Sequence, residues 1–170
     1  MARFLLVATL ALAACVLPAA VGLSTVPDRD RVRLTIYNAV DLTLAQDYRT
    51  LVFKQGINVV QYQWAGTLID TTSIEFRALE RQADLEVVDL IYPPNAPATL
   101  QWRIESKVSG PVRCEISYFT SGLSWSADYA LRASPDETRA EVEGTVAVLN
   151  QSGEEYPEAE KAPTVRKLLE

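Results

Sequence analysis

Residues 100–118 read LQWRIESKVSGPVRCEISY, two runs of alternating apolar and polar residues separated by a turn at Ser109-Gly110-Pro111. Apolar side chains occupy every second position of both runs: Leu100, Trp102, Ile104, Val112, Cys114, Ile116 and Tyr118. Successive side chains of a β-strand point to opposite faces of a sheet. The spacing therefore predicts two strands that each bury one face.

The same period of two continues on both sides of this pair. The predicted strands lie at 32–37, 42–53, 57–64, 74–78, 85–92, 100–105, 112–118, 127–133 and 142–148. Lys54-Gln55-Gly56 is expected to close a hairpin between the second and third of them. Short strands at intervals of about ten residues are typical of an antiparallel β-sandwich. We therefore predict an all-β fold, either one sandwich or two small sandwiches in tandem, after an N-terminal signal helix.

The proline-containing stretch 92–98 is the expected boundary inside this β-rich region, since proline cannot donate to a strand ladder. Residues 154–161 include four glutamates and lack alternation, which is typical of a terminal segment with little order. The expected divisions are a signal peptide at 1–22, an exposed lead-in at 23–31, a first β subdomain at 32–92, a second β subdomain at 99–153 and a poorly ordered tail at 154–170.

The N-terminus has the features of a secretory leader. Arg3 supplies a positive charge, residues 4–17 are almost entirely apolar, and Pro18 is followed by small residues. Charge, apolar run and small-residue exit together predict a signal peptide. The run of about 14 residues is shorter than the roughly 20 needed to span a bilayer. We expect export to the periplasm, the cell envelope or the cell exterior.

Two ways of processing this leader stay open, and so does a retained signal anchor, because weakly apolar residues continue to Leu23. Ala20-Val21-Gly22 offers ordinary cleavage before Leu23, whereas Leu12-Ala13-Ala14-Cys15 matches a bacterial lipobox, in which Cys15 would be lipidated. The residues after Cys15 are apolar rather than the polar tether usual in lipoproteins, which favours ordinary cleavage. Contact with a membrane is expected only through the leader or through a lipid on Cys15.

The composition excludes several kinds of chemistry. The sequence contains no histidine, so it can form neither a Ser-His-Asp or Cys-His catalytic arrangement nor an imidazole metal site. Sixteen Lys and Arg against 22 Asp and Glu give a formal net charge of −6. Nucleic-acid binding depends on clustered basic residues, so this balance argues against a nucleic-acid partner. No Gly-rich phosphate loop occurs, and we expect no cofactor.

Two stretches carry a resemblance to a known family. Gly122-Leu123-Ser124-Trp125-Ser126-Ala127-Asp128-Tyr129 is followed downstream by Asn150-Gln151-Ser152-Gly153-Glu154-Glu155-Tyr156. These motifs resemble exported bacterial proteins related to mucoidy inhibitor A, in which Gly-x-x-Trp-x-x-x-Tyr precedes a strand ending in Asn-x-Ser/Thr-Gly, two acidic residues and an aromatic. Residues 34–38 and 69–74 are similar to the family's opening strands. The resemblance covers roughly residues 31–159 and implies an all-β envelope protein without an established reaction.

The end of the sequence departs from the family pattern. Family members continue with a Leu-x-Leu strand and a further β domain, whereas this chain has Glu158-Ala159-Glu160-Lys161-Ala162-Pro163. The departure indicates a truncated or frameshifted member of the family. An unpaired strand edge left in this way would favour aggregation or pairing with a partner.

The resemblance also supplies the candidate ligand-binding or motif positions, which are Gly122, Trp125, Tyr129, Asn150, Gly153 and Tyr156. Trp125 and Tyr129 could stack on sugar rings. The alternative, which we favour, is that both fill the core or a corner of the sandwich. Trp64 and Trp102 lie in apolar alternation and are expected in the core. Cys114 is expected to point inward as a small apolar side chain with no activating neighbour.

Four carboxylates are candidate acid–base groups, namely Asp128, Asp136, Glu141 and Glu143. Glycoside hydrolysis needs two carboxylates about 5–10 Å apart in a cleft. The alternation of Glu141 and Glu143 with valines is instead typical of a solvated strand face. No catalytic or metal-binding residue is predicted.

These observations favour a non-catalytic binding or structural β module of the cell envelope. Its expected partner is another envelope protein or a polysaccharide. The alternatives are a carboxylate-dependent hydrolase of cell-wall glycans and a non-functional truncated fragment of a longer family member.

Overall fold

The computed structural model describes residues 22–157, 159 and 166–169. The predicted signal peptide, apart from Gly22, lies outside the described residues, and so does Cys15. Among the residues that are described, no helix has the length and apolar character needed to cross a membrane.

The described residues form eleven strands and three short 3-10 turns. The strands are β1 Gly22–Thr25, β2 Arg31–Tyr37, β3 Leu42–Phe53, β4 Gly56–Gln63, β5 Glu75–Ala78, β6 Leu85–Ile91, β7 Thr99–Ser106, β8 Gly110–Thr120, β9 Leu123–Ala133, β10 Ala140–Asn150 and β11 Arg166–Leu169. The 3-10 turns are Asn38–Val40, Thr71–Ser73 and Gln82–Asp84. Each of the nine predicted strands corresponds to one of β2 to β10.

Two four-stranded sheets face each other, and a third sheet is built on a long hairpin. One sheet has the order β1-β4-β7-β6 and the other β2-β3-β8-β5, while the third has the order β11-β10-β9. Neighbouring strands run antiparallel, except that β1 pairs with β4 in parallel. The predicted all-β sandwich is therefore confirmed.

The core lies between the inner faces of the two four-stranded sheets. Its buried apolar side chains come from alternate positions of the strands: Ala45, Leu51 and Phe53 of β3, Val60 and Tyr62 of β4, Leu100, Trp102 and Ile104 of β7, and Val112, Cys114, Ile116 and Tyr118 of β8. The rings of Tyr62 and Tyr118, from opposite sheets, are 6.2 Å apart. Trp64 and Trp102 are both buried, which confirms their predicted place in the core.

The connections between strands correct two predictions. Lys54-Gln55-Gly56 does not close a hairpin, because β3 and β4 lie in different sheets and the chain crosses from one sheet to the other at this point. The stretch 92–98 does not divide two sandwiches either. β3 pairs with β8 and β4 with β7, so strands from both sides of this stretch share both sheets.

The two segments expected to be exposed or poorly ordered make contacts with the sandwich where the structure describes them. The lead-in at 23–31 is exposed at most of its positions, as predicted. In the lead-in, β1 adds to the edge of β4, and the side chain of Arg29 is buried. In the expected tail, Glu154 pairs with Arg29 and β11 pairs with β10. These segments find backbone and charge partners that the apolar pattern does not reveal. Positions 158, 160–165 and 170 lie outside the described residues.

Cys114 provides a direct test of this packing. Its side chain is fully buried and its Sγ lies 3.5 Å from the carbonyl oxygen of Val112. Burial, with a smaller contribution from the charge of Glu80, raises the pKa of the thiol to about 12. Because alkylation requires the thiolate, we expect iodoacetamide at mildly alkaline pH to leave Cys114 unmodified in the native protein and to label it after unfolding in urea. Peptide mass spectrometry measures the labelling of Cys114 in the native and in the unfolded protein. Rapid labelling of the native protein would contradict the buried position.

Candidate functional site

The most distinctive feature outside the sandwich is the long hairpin formed by β9 and β10. The two strands pair along their whole lengths, from Leu123 opposite Asn150 to Ala133 opposite Ala140. At about 3.4 Å per residue, eleven residues give a ribbon about 37 Å long. Ser134 and Arg139 close its tip, with the Ser134 amide donating to the Arg139 carbonyl at 2.9 Å.

One face of this hairpin is apolar and exposed. The register places Trp125 opposite Val148, Ala127 opposite Val146 and Leu131 opposite Val142, all on the same side of the ribbon. We define the apolar hairpin face as the five large side chains exposed there, with these exposed fractions: Trp125 44%, Tyr129 75%, Leu131 68%, Val146 45% and Val148 56%. The opposite side carries Ser126, Asp128, Arg132, Glu141 and Glu143, together with one large exposed apolar side chain, Leu149 at 56%.

The exposure of Trp125 and Tyr129 corrects the favoured prediction that both fill the core or a corner of the sandwich. Trp125 and Tyr129 lie at alternate apolar positions of β9, the pattern of a strand whose apolar face is covered by another layer. In the described part of the chain, however, no second sheet lies over this face of the hairpin. Two aromatic rings are therefore presented to solvent, where a partner can reach them.

A groove of about 500 Å³ lies where the hairpin joins the sandwich. Its lining comes from β2, from both hairpin strands and from the segment after β10: Arg33, Leu34, Ile36, Leu123, Trp125, Val146, Val148, Asn150, Tyr156, Pro157 and Ala159. The structure thus brings together Trp125, Asn150 and Tyr156 from the two separate sequence motifs. Tyr129 does not join them, because it lies farther along the ribbon.

Asn38 fixes the hairpin to the end of β2. Its Nδ2 donates to the carbonyl of Trp125 at 3.0 Å, and its Oδ1 accepts from the amide of Trp125, also at 3.0 Å. The side-chain amide thus bonds the backbone of β9 as a neighbouring strand would. Asn38 was not predicted as a site residue, although an asparagine directly after an alternating run was a visible signal.

Three of the candidate motif positions shape the base of the hairpin. Asn150 Oδ1 accepts from the amide and the hydroxyl of Ser152 at 3.0 and 2.7 Å, and its Nδ2 donates to the Glu154 carbonyl at 2.8 Å. A Cβ at Gly122 would lie 2.9 Å from the backbone of Gln151, so this position has no room for a side chain. Gly153 is equally confined. These residues hold the turn after β10 in place.

A buried charge cluster lies beside the groove, and it was not predicted. Asp47 is completely buried, and its Oδ2 lies 2.8 Å from Arg49 Nη2 and 3.2 Å from Arg29 Nη2. The side chains of Arg29 and Arg49 are only 9% and 10% exposed. Arg29 also bonds the carboxylate of Glu154 and lies over the ring of Tyr156, 5.1 Å from its centroid. The cluster therefore joins the lead-in, the sandwich and the segment after the hairpin.

The protonation states in this cluster follow from burial and charge. Burial alone would lower the pKa of Arg29, but the charges of Asp47 and Glu154 raise it above its ordinary value, so the guanidinium stays charged. Burial, with the charge of Asp47 adding to it, raises the pKa values of Tyr62 and Tyr118, so both phenols stay neutral. The ion pairs therefore join Arg29, Asp47, Arg49 and Glu154, with neutral tyrosines beside them.

The four carboxylates considered for acid–base chemistry do not converge. Asp128, Glu141 and Glu143 lie on the polar side of the hairpin. Asp136 lies in the tip, where hydrogen bonds from Ser134 and Thr138 lower its pKa. The groove lining contains no carboxylate. Within the described residues, no three Cys, Asp or Glu side chains are grouped so that they could hold a metal ion.

Comparison with known proteins gives no match to a protein-family model, a curated protein or a solved structure. The resemblance to proteins related to mucoidy inhibitor A therefore stays a prediction from the residues. The functional argument rests on the hairpin, the groove and the charge cluster.

Proposed function

We propose that this chain is an exported, non-catalytic β-sandwich module of the cell envelope that binds another protein through the apolar hairpin face. The observation that carries the proposal is the exposure of five large apolar side chains on one side of the ribbon. Contiguous exposed apolar patches of a few hundred Å² mark interaction sites in soluble proteins.

The size of the patch supports this interpretation. Exposed fractions of 44% for Trp125 and 75% for Tyr129 leave about 250 Å² of aromatic surface, given roughly 150–250 Å² for a whole aromatic side chain. A transfer free energy of about 1.5–3 kcal/mol for a whole Val or Leu side chain corresponds to roughly 60–120 Å² at about 25 cal/mol per Å². The exposed parts of Leu131, Val146 and Val148 therefore add about 180 Å². The total is on the order of 400–500 Å², which is comparable to the largest functional patches on monomers.

The chemistry of the patch favours a protein over a polysaccharide. Trp125 and Tyr129 could each stack on a sugar, but the neighbouring exposed side chains are aliphatic. Leu131, Val146 and Val148 offer no hydrogen bonds to sugar hydroxyls. Aromatic anchors among aliphatic side chains are typical of the buried centre of a protein interface.

The envelope location rests on the leader sequence, and the absence of catalysis rests on the residues available. Glycan hydrolysis would need two carboxylates that converge in a cleft, and the two carboxylates of the cluster, Asp47 and Glu154, are paired with Arg29 and Arg49. The hydrolase alternative has no specific observation in its favour.

Site-specific photo-crosslinking tests the binding surface. We expect p-benzoylphenylalanine at position 129, incorporated in the full chain in its host, to form a covalent adduct with a protein on irradiation. The matched control is the same residue at position 130, because Ala130 is exposed on the opposite side of the same strand. Adducts are detected by gel shift and identified by mass spectrometry.

Two outcomes would contradict the proposal. An absence of adducts at position 129, or equal adducts at 129 and 130, would show that the apolar hairpin face is not a binding surface. Recovery of the protein only from the cytosolic fraction would contradict the envelope location.

A further inference from the structure

We infer that the protein covering the apolar hairpin face is a second copy of this chain, with the two hairpins packed face to face about a twofold axis. The inference rests on the proposed function and names its partner. Two identical apolar ribbons packed in this way form a small sandwich of their own, in which each sheet covers the other.

The area available matches that of a stable dimer. Two copies of the apolar hairpin face contribute on the order of 900 Å² of apolar surface, by the estimate of 400–500 Å² for each. Homodimer interfaces are about 65% apolar, so the whole contact would bury roughly 1,400 Å². Stable, specific interfaces bury about 1,200–2,000 Å² in total. A second copy therefore supplies enough surface without any further partner.

The shape of the hairpin and its base also fits a twofold arrangement. A twofold axis through the middle of the ribbon, near Ala127 and Tyr129, lays the tip of each hairpin over the base of the other. Leu131 lies near the tip and is 68% exposed. The base carries the open groove of about 500 Å³, with Leu34 and Ile36 in its lining. Each copy thus offers an apolar projection near the tip and an apolar recess at the base.

The distribution of charge permits two acidic copies to approach. The chain has a net charge of −6, which disfavours self-association in general. Asp128, Glu141 and Glu143 point to the opposite side of the ribbon, away from the proposed contact. None of the five side chains of the apolar hairpin face is charged.

Sedimentation equilibrium of the purified full chain tests the inference. We expect the wild-type protein to have twice the mass of one chain, and Tyr129→Lys to have the mass of a single chain at the same concentrations. Ala130→Lys is the matched control, because it adds the same charge to the next residue on the opposite side, facing Glu143 across the strand pair. We expect it to stay dimeric. The circular dichroism spectrum of Tyr129→Lys should match that of the wild type, since position 129 is 75% exposed in the single chain. Its thermal midpoint should be lower than that of the wild type, because dissociation removes the stabilisation that the dimer provides.

A monomeric wild type, or a Tyr129→Lys variant as dimeric as the control, would overturn the inference. This failure is distinguishable from failure of the proposed function. A monomer that crosslinks to a different protein from position 129 keeps the binding surface and rejects the second copy. A monomer that forms no adduct at position 129 rejects both.

Discussion

Replacing Asp47 with asparagine is expected to lower the free energy of unfolding by about 3–5 kcal/mol. Asp47 is completely buried between the guanidinium groups of Arg29 and Arg49, which are themselves about nine-tenths buried. Asparagine keeps the shape of the side chain but removes its charge, so two buried cations lose their shared counterion. Arg29 keeps Glu154, so the larger part of the loss should arise at Arg49. Urea denaturation followed by tryptophan fluorescence measures the change.

The control is the same substitution in an ion pair that is partly exposed. Asp89 lies 2.8 Å from Arg103, and both side chains are about 40% exposed. Asp89→Asn should cost at most about 1 kcal/mol, because exposed pairs are solvated and contribute little. Equal losses for Asp47→Asn and Asp89→Asn would mean that the buried cluster does not stabilise the fold.

Replacing Gly153 with alanine is expected to cost about 2–5 kcal/mol of folding free energy. Gly153 has φ +80°, a conformation that is strained for any residue with a Cβ. The added Cβ would also lie 2.2 Å from the carbonyl oxygen of Gly66 and 3.1 Å from the Cα of Thr67. These are backbone atoms and cannot rotate away, so the turn after β10 must shift. Chemical denaturation gives the stability loss.

Gly66→Ala separates the two causes. Gly66 has φ +79°, but an added Cβ there would meet no atom within 4 Å. Its substitution should cost only the conformational penalty of about 1–2 kcal/mol. The difference between the two variants therefore measures the close approach of the two loops. Equal stability losses for Gly153→Ala and Gly66→Ala would contradict this close approach.

Side-chain alternation was enough to predict nine of the eleven described strands, but not β1 or β11. Val112, Cys114, Ile116 and Tyr118 occupy alternate positions and predict a strand at 112–118, and β8 forms over Gly110–Thr120. Alternation does not show which strands become neighbours, since pairing depends on contacts distant in the sequence. For this reason the connection at 54–56 was predicted as a hairpin, although it crosses between sheets.

The candidate site was predictable only in part. Trp125 and Tyr129 were picked out from the sequence, but a strand whose apolar face is bare has the same pattern as one whose face is covered. Their exposure depends on whether another sheet lies opposite, which no local signal reports. The buried cluster left a signal that was missed. Asp47 and Arg49 occupy the same inward positions of β3 as Ala45 and Leu51, and charges there require buried partners.

The crossed pairing of the sandwich strands has a consequence for the nascent chain. A polypeptide emerges N-terminus first, so β3 and β4 appear well before β8 and β7, with which they pair. β4 lacks its neighbour β7 until Ser106 has emerged, and β3 lacks its neighbour β8 until Thr120 has emerged. Late pairing between strands that are distant in the sequence makes folding slow and leaves intermediates with exposed apolar surface, which aggregate readily. The unfinished chain should therefore be a good substrate for holdase chaperones.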